Sequence, residues 1–260
     1  MNRKDLYCVF APRRSGHHAI IKWLINGLDQ EGFKSYHIND IAICSFPYHD
    51  CAVRSMIKEH KNDRWKKIHN RIDNLILNYE DKDLALLKDR PLINKKDDLG
   101  SFRKEYNIIV IRDPFNNIAS KFKYCENTKN NKNNRVMWID IIERWKIHAR
   151  EAATITNYLN KKIIINYNKW FTSEKYRKRI SSIFHFDGAA PMLSMSRSGR
   201  GSSFDQFKFD NEANKMCVLE RWKEYQNNIG YILMINDSEL VHLYKKLFNP
   251  IPGIEEILYI

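Results

Sequence analysis

The chain has 260 residues, of which 43% are hydrophobic and 12% aromatic, so it can form a sizeable core. Its formal net charge of +13 should attract polyanions or small anionic ligands. Five scattered cysteines without a CxxC pair are typical of a reduced, cytoplasmic protein, and no run of residues is apolar enough to span a membrane. Composition therefore argues against a disulfide scaffold or a membrane-spanning protein, and we expect one domain over residues 1–260.

Short apolar runs predict five buried strands, at residues 6–11, 35–38, 75–79, 108–111 and 163–167. Helical spacing predicts helices at 18–28, 115–124, 138–159 and 173–184, the last with Ser173 as N-cap, and residues 230–260 form a helix and tail. This alternation predicts an α/β fold with a central, mostly parallel sheet flanked by helices on both faces. Ligands of such sheets bind where strands end, which directs attention to two loops.

The first loop, "APRRSGHH" (11–18), lies between a predicted strand and a predicted helix. Gly16 lets the backbone approach a bound group, and the first N–H groups of the helix point toward it. The planar guanidinium of Arg14 suits phosphate or sulfate oxygens. The loop therefore predicts an anion site, but it lacks the lysine and hydroxyl of the GxxxxGK[ST] pattern that a magnesium-dependent kinase or NTPase needs.

The second loop lies within "NIIVIRDPFNNIASKFKY" (107–124). Arg112 ends a predicted strand, and Ser120 follows eight residues later on the predicted helix. The two side chains are placed to hold one phosphate from two directions. The alternative is an ordinary turn in which Arg112 and Asp113 form a local salt bridge.

In these two stretches the sequence resembles the sulfotransferases that use 3'-phosphoadenosine 5'-phosphosulfate (PAPS). The first is similar to the family's 5'-phosphosulfate loop and the second to its 3'-phosphate motif. Residues 163–186 and the stretch "SRSGRGSSFD" (196–205) resemble a later strand and helix and the glycine-rich C-terminal loop. The resemblance covers residues 6 to about 225. It departs from the family at His17 and His18, where hydroxyl residues are usual, and in one extra residue between Pro12 and Arg14.

The resemblance implies a P-loop-like sulfotransferase architecture and an enzyme that transfers a sulfuryl group from PAPS to a hydroxyl or amine of a glycan, lipid or small molecule. The product would be 3',5'-adenosine bisphosphate (PAP), and no metal is expected. Its phosphosulfate site would comprise Arg13, Arg14, Ser15, Gly16, His17 and His18. Its 3'-phosphate site would comprise Arg112 and Ser120, helped by Arg197, Ser198 and Gly199.

Catalysis in this interpretation falls to Arg14, His17 and Glu80. Arg14 and the helix amides would stabilise charge on the departing phosphate. Glu80 is our preferred general base, because it directly follows an apolar strand and would stand at the carboxyl edge of the sheet. The other candidate bases are His37, Asp40, Asp81, Asp89 and the two histidines of the first loop.

Two other function classes stay open. One is a nucleotide-dependent kinase or NTPase on a related P-loop scaffold. The other is a catalytically degenerate protein that binds anions or nucleic acid. The sequence contains no helix-turn-helix, zinc-finger or RNA-binding signature, so a nucleic-acid partner is not expected.

Overall fold

The computed structural model of the protein describes residues 4–39, 72–87, 102–127, 134–196 and 201–259. Within these residues five strands form one sheet, and every neighbouring pair is parallel. All five predicted strands are confirmed, most of them one or more residues longer than predicted. The strands are β1 (Lys4–Ala11), β2 (Ser35–Ile38), β3 (Asn74–Glu80), β4 (Phe102–Ile111) and β5 (Lys162–Asn166).

Seven α-helices accompany the sheet in the described parts of the chain. They are α1 (His17–Gln30), α2 (Pro114–Asn127), α3 (Asn134–Ala152), α4 (Tyr167–Thr172), α5 (Glu174–Ile183), α6 (Ile229–Ile235) and α7 (Ser238–Leu247). Ser173 caps α5 as predicted, because its hydroxyl accepts the backbone N–H of Tyr176 at 3.1 Å. The C-terminal segment, predicted as one helix and a tail, holds α6, α7 and a short 3-10 turn.

Two predicted boundaries are wrong for reasons that the hydrogen bonds show. The helix predicted over 138–159 ends at Ala152, because the Glu151 carboxylate accepts the backbone N–H groups of Tyr158 and Leu159, at 3.0 Å each. The strand predicted over 163–167 ends at Asn166, whose side chain accepts the N–H of Lys169 at 3.1 Å and caps α4. Local polar side chains therefore ended elements that apolar spacing alone would extend.

Helices cover both faces of the sheet, as predicted. Along β1 the side chains of Leu6, Cys8 and Phe10 enter a core with α2, α3, α6 and α7. The alternate side chains of β1, those of Tyr7, Val9 and Ala11, enter a second core with α1, α4 and α5. A strand buried on both faces is the expected consequence of a parallel sheet between helical layers.

The strand order is β2-β3-β1-β4-β5. The chain leaves β1 toward the β2 side and leaves β4 toward the β5 side, so the crevice at their carboxyl ends is the point where ligands of open α/β sheets bind. Both predicted anion loops open into this crevice. In the described parts of the chain, no helix is both long and apolar enough to cross a membrane.

Candidate functional site

The first loop requires a glycine at position 16. Gly16 is the N-cap of α1 and has a φ of 79°, a conformation that L side chains rarely adopt. The ring of Tyr167 packs so closely that a Cβ atom on Gly16 would lie 2.1 Å from its Cε2 atom. The loop is closed by the Ser15 backbone N–H, which donates to the Pro12 carbonyl at 3.2 Å. A cavity beside the loop is lined by Gly16 and by residues 17–19, at the start of α1.

Direct hydrogen bonds join the two predicted loops. Arg112 Nη1 donates to the carbonyl of Arg14 at 3.2 Å, and Asn117 Nδ2 donates to the carbonyl of Arg13 at 2.9 Å. The Asp113 carboxylate caps α2 through the backbone N–H of Asn116 at 2.8 Å. The turn therefore leaves the Arg112 guanidinium facing the crevice instead of pairing it with its neighbour.

Two buried arginines meet on one serine hydroxyl. Ser120 Oγ lies 3.1 Å from Nη1 of Arg112 and 3.1 Å from Nη1 of Arg221. Arg221 Nη2 also donates to Ser202 Oγ at 2.8 Å and lies 3.4 Å from the Asp205 carboxylate. Burial, and then the charge of Arg112, lower the pKa of Arg221 to about 10. We call Arg112, Ser120 and Arg221 the arginine cluster, and two close cations of this kind are favourable surroundings for an anion.

Sequence reasoning predicted Arg112 and Ser120 but missed Arg221. Arg221 follows Ser120 by 101 residues and begins a short 3-10 segment, so no local motif marks it. Tyr167, which packs on Gly16, was also missed as a site residue. The predicted helpers Arg197, Ser198 and Gly199 lie outside the described residues, but the following Ser202 and Ser203 line the same cavity.

A second group forms around Glu80 at the end of β3. The Nε2 atoms of His17 and His18 lie 3.0 and 2.8 Å from Glu80 Oε1. Arg13 Nε donates to Glu80 Oε2 at 3.0 Å, and Asn78 Nδ2 donates to Oε1 at 3.2 Å. We call His17, His18 and Glu80 the histidine cluster. The cluster brings together two predicted catalytic residues, the imidazole of His17 and the carboxylate of Glu80, which lie 63 residues apart in the sequence.

The electrostatics of this cluster favour a carboxylate anion beside a neutral imidazole. Burial alone would raise the pKa of Glu80, but the hydrogen bonds from His17 and His18 outweigh it and hold the pKa well below its usual range. Burial and the neighbouring His18 lower the pKa of His17. The Glu80 carboxylate already accepts hydrogen bonds from four donor groups. A general base at this position would therefore be the hydrogen-bonded cluster and not the carboxylate alone.

The other candidate bases differ in their surroundings. Asp81 lines the cavity, where its carboxylate accepts the N–H of Arg13 at 2.7 Å and lies 3.5 Å from Lys121 Nζ. His37 lies in β2, and burial and the nearby His18 lower its pKa to about 4. Asp40 and Asp89 lie outside the described residues.

One cavity of about 710 Å³ at the β1–β4 crevice is lined by both arginines of the arginine cluster and by all three residues of the histidine cluster. Ser120 lies fully buried behind it. The remaining wall of the cavity includes apolar side chains such as Trp170, Met192 and Met216. The volume falls in the range of pockets that hold cofactors and small molecules, and a mostly apolar wall with a few convergent polar groups is typical of them. The cavity is therefore the candidate functional site.

No protein-family model matches the chain, and no curated protein matches it significantly. A function for this chain therefore has to be inferred from the residues and the geometry of its cavity.

Proposed function

We propose that the protein is a PAPS-dependent sulfotransferase that acts on a hydroxyl acceptor. The observation that carries this proposal is the pair of buried arginines on Ser120, beside a glycine loop that opens into the same cavity. Two neighbouring anion sites match a nucleotide whose ribose carries phosphates at its 3' and 5' positions. The cysteine usage of the sequence fits a cytoplasmic location, which is part of the same proposal.

The arginine cluster is our assigned site for the 3'-phosphate. Arg112 is held in place before any ligand arrives, because it donates to the carbonyl oxygens of Arg14 and Val218. Fixed guanidinium groups of this kind bind a phosphate with little loss of side-chain freedom. The single O–H of Ser120 donates to the Asn116 carbonyl at 2.8 Å, so its oxygen accepts from both arginines and orients their guanidinium groups.

The first loop is our assigned site for the 5'-phosphosulfate. Gly16 and the start of α1 bring backbone N–H groups to the cavity, where the helix dipole also favours an anion. Arg14 lines the cavity with its guanidinium 4.1 Å above the Tyr124 ring. In that position its charge can stabilise the phosphate that departs during transfer.

The reaction would proceed in one displacement at sulfur. The acceptor oxygen forms a bond to sulfur while the bond from sulfur to the bridging oxygen breaks, and that electron pair stays on the 5'-phosphate of PAP. The proton of the acceptor hydroxyl passes to the histidine cluster. This assignment is supported by the position of the cluster, because His17 and His18 begin the helix whose N-terminus we assign to the phosphosulfate, and both line the cavity.

The competing function is a magnesium-dependent kinase or NTPase, and a ligand comparison separates the two. PAP and ATP with Mg²⁺ are each titrated into the full chain by calorimetry, with thermal unfolding as a second measurement. A ligand at a hundredfold excess over its Kd stabilises its protein by roughly 2.7 kcal/mol. We expect PAP to bind and stabilise the protein without metal. Binding of ATP with Mg²⁺ but not of PAP would contradict the proposal and favour the kinase.

A further inference from the structure

We propose that the histidine cluster is a binding site for a divalent transition-metal ion such as Zn²⁺. One ligand atom from each of His17, His18 and Glu80 lies within 4.8 Å of the other two. Two imidazoles and one carboxylate are a donor set that zinc takes in sites with an open coordination position. This inference departs from the expectation implied by the resemblance, in which no metal takes part.

The distances inside the cluster suit ligands of a single ion. The Nε2 atoms of His17 and His18 lie 3.0 and 2.8 Å from Glu80 Oε1. Ligand atoms that each lie ~2.0–2.2 Å from one tetrahedral ion are roughly 3.3–3.6 Å apart, so both contacts would widen by about half an ångström. An ion would therefore replace the protons of these hydrogen bonds with only small movements of the side chains.

The groups around the cluster also match those around metal ligands. His17 Nδ1 lies 3.2 Å from Ser15 Oγ, so its second ring nitrogen is anchored, and Arg13 holds the other oxygen of Glu80. His18 Nδ1 and Asn78 Oδ1 are buried and have no hydrogen-bond partner among the described residues. Neither atom is one of the three assigned ligand atoms, so the metal site is carried by the donor set and by its distances.

The cluster can be reached from the cavity, because all three of its residues line it. An ion held there by three protein ligands would keep open positions on the cavity side. Such an ion would be a Lewis acid that lowers the pKa of a bound hydroxyl. Because it would occupy the imidazole and carboxylate atoms of the cluster, this activation would replace direct proton transfer to them. Metal binding itself does not rest on the proposed sulfotransferase function, but a role of the ion toward the acceptor hydroxyl does.

The test uses the full chain after treatment with a chelator. Zn²⁺ is titrated by calorimetry, and Co²⁺ is followed by its visible absorption, which reports coordination by protein ligands. We expect about one equivalent of each ion to bind, with the affinity reduced at least tenfold in Glu80→Gln and in His18→Gln. The matched control is His242→Gln, which removes an exposed imidazole of α7 and should leave the affinity unchanged.

No saturable binding, or equal binding by the wild type and both cluster variants, would overturn the inference. Thermal unfolding of each variant shows that the comparison is made on folded protein. PAP titrations of the same samples in EDTA separate this inference from the proposed function. PAP binding without metal binding would contradict the metal site alone, and metal binding without PAP binding would contradict the sulfotransferase alone.

Discussion

The two clusters of the cavity differ in how their charge is balanced. In the arginine cluster two cations meet on a neutral hydroxyl, and the Asp205 carboxylate reaches only Arg221, at 3.4 Å. In the histidine cluster one carboxylate accepts hydrogen bonds from two imidazoles, an amide and a guanidinium. The first arrangement concentrates two cations and favours an external anion, while the second contains its own counter-charge and can exchange protons or bind a cation. We therefore expect one cluster to bind the nucleotide and the other to act on the acceptor.

The largest expected effect comes from Gly16→Ala, which would disrupt the loop between the clusters. The substitution places a methyl group in the Tyr167 ring at a φ of 79°. The backbone conformation costs roughly 1–2 kcal/mol and the overpacking a further 1–3 kcal/mol. Urea unfolding should therefore show a loss of stability of about 2–5 kcal/mol, together with a loss of PAP binding.

Gly32→Ala is the matched control for this variant. Gly32 has a φ of 81°, but nothing lies within 4 Å of the added Cβ atom, so it carries the backbone cost without the clash. It should lose roughly 1–2 kcal/mol and retain PAP affinity. Equal losses of stability and affinity in the two variants would show that the close approach of Tyr167 is unimportant.

A smaller effect is expected from the contact of Arg14 with the Tyr124 ring, which orients the guanidinium in the cavity at the site assigned to the 5'-phosphate. An exposed cation–π contact contributes roughly 0.5–1 kcal/mol. Tyr124→Leu should therefore weaken PAP binding about two- to fivefold in calorimetry. Tyr124→Phe keeps the ring and should bind as the wild type does. A loss in both variants would assign the effect to the hydroxyl and contradict the stacking argument.

The smallest expected effect on nucleotide affinity comes from Glu80→Gln, which removes the charge of the histidine cluster and keeps its size. If the clusters act separately, PAP affinity should stay within about threefold of the wild type, while sulfuryl transfer to an accepted substrate should fall by about a hundredfold. Single-turnover measurements with saturating PAPS isolate the transfer step. A large loss of PAP affinity would show that the clusters are one site.

The sequence predicted the part of the site that lies within single strand–loop–helix units. The first loop and the Arg112–Ser120 pair each occupy one such unit, and a parallel sheet with β1 beside β4 brings the two units together. The strands and most helices were predictable for the same reason, since their apolar spacing is local.

The missed contacts depend on chain segments that only the fold brings together. Arg221 reaches Ser120 from 101 residues away, and Glu80 reaches His17 from 63 residues away. Tyr167 was assigned to the end of a strand, although the Asn166 cap makes it the first residue of α4. Hydrophobic periodicity and motif spacing describe only residues that are close in the sequence. Neither could predict these contacts, which the three-dimensional structure shows.

In the proposed function, the arginine cluster binds the 3'-phosphate of the nucleotide. The most direct test is a calorimetric cycle that compares PAP with adenosine 5'-monophosphate, which lacks that phosphate, in the wild type and in Arg221→Gln. Charged hydrogen bonds contribute roughly 1.5–3 kcal/mol, so the wild type should prefer PAP by at least about tenfold, and the variant should lose most of this preference. Arg103→Gln removes a cation that is paired with Asp5 outside the cavity and should keep the preference. Equal affinity of the wild type for both nucleotides would contradict the account.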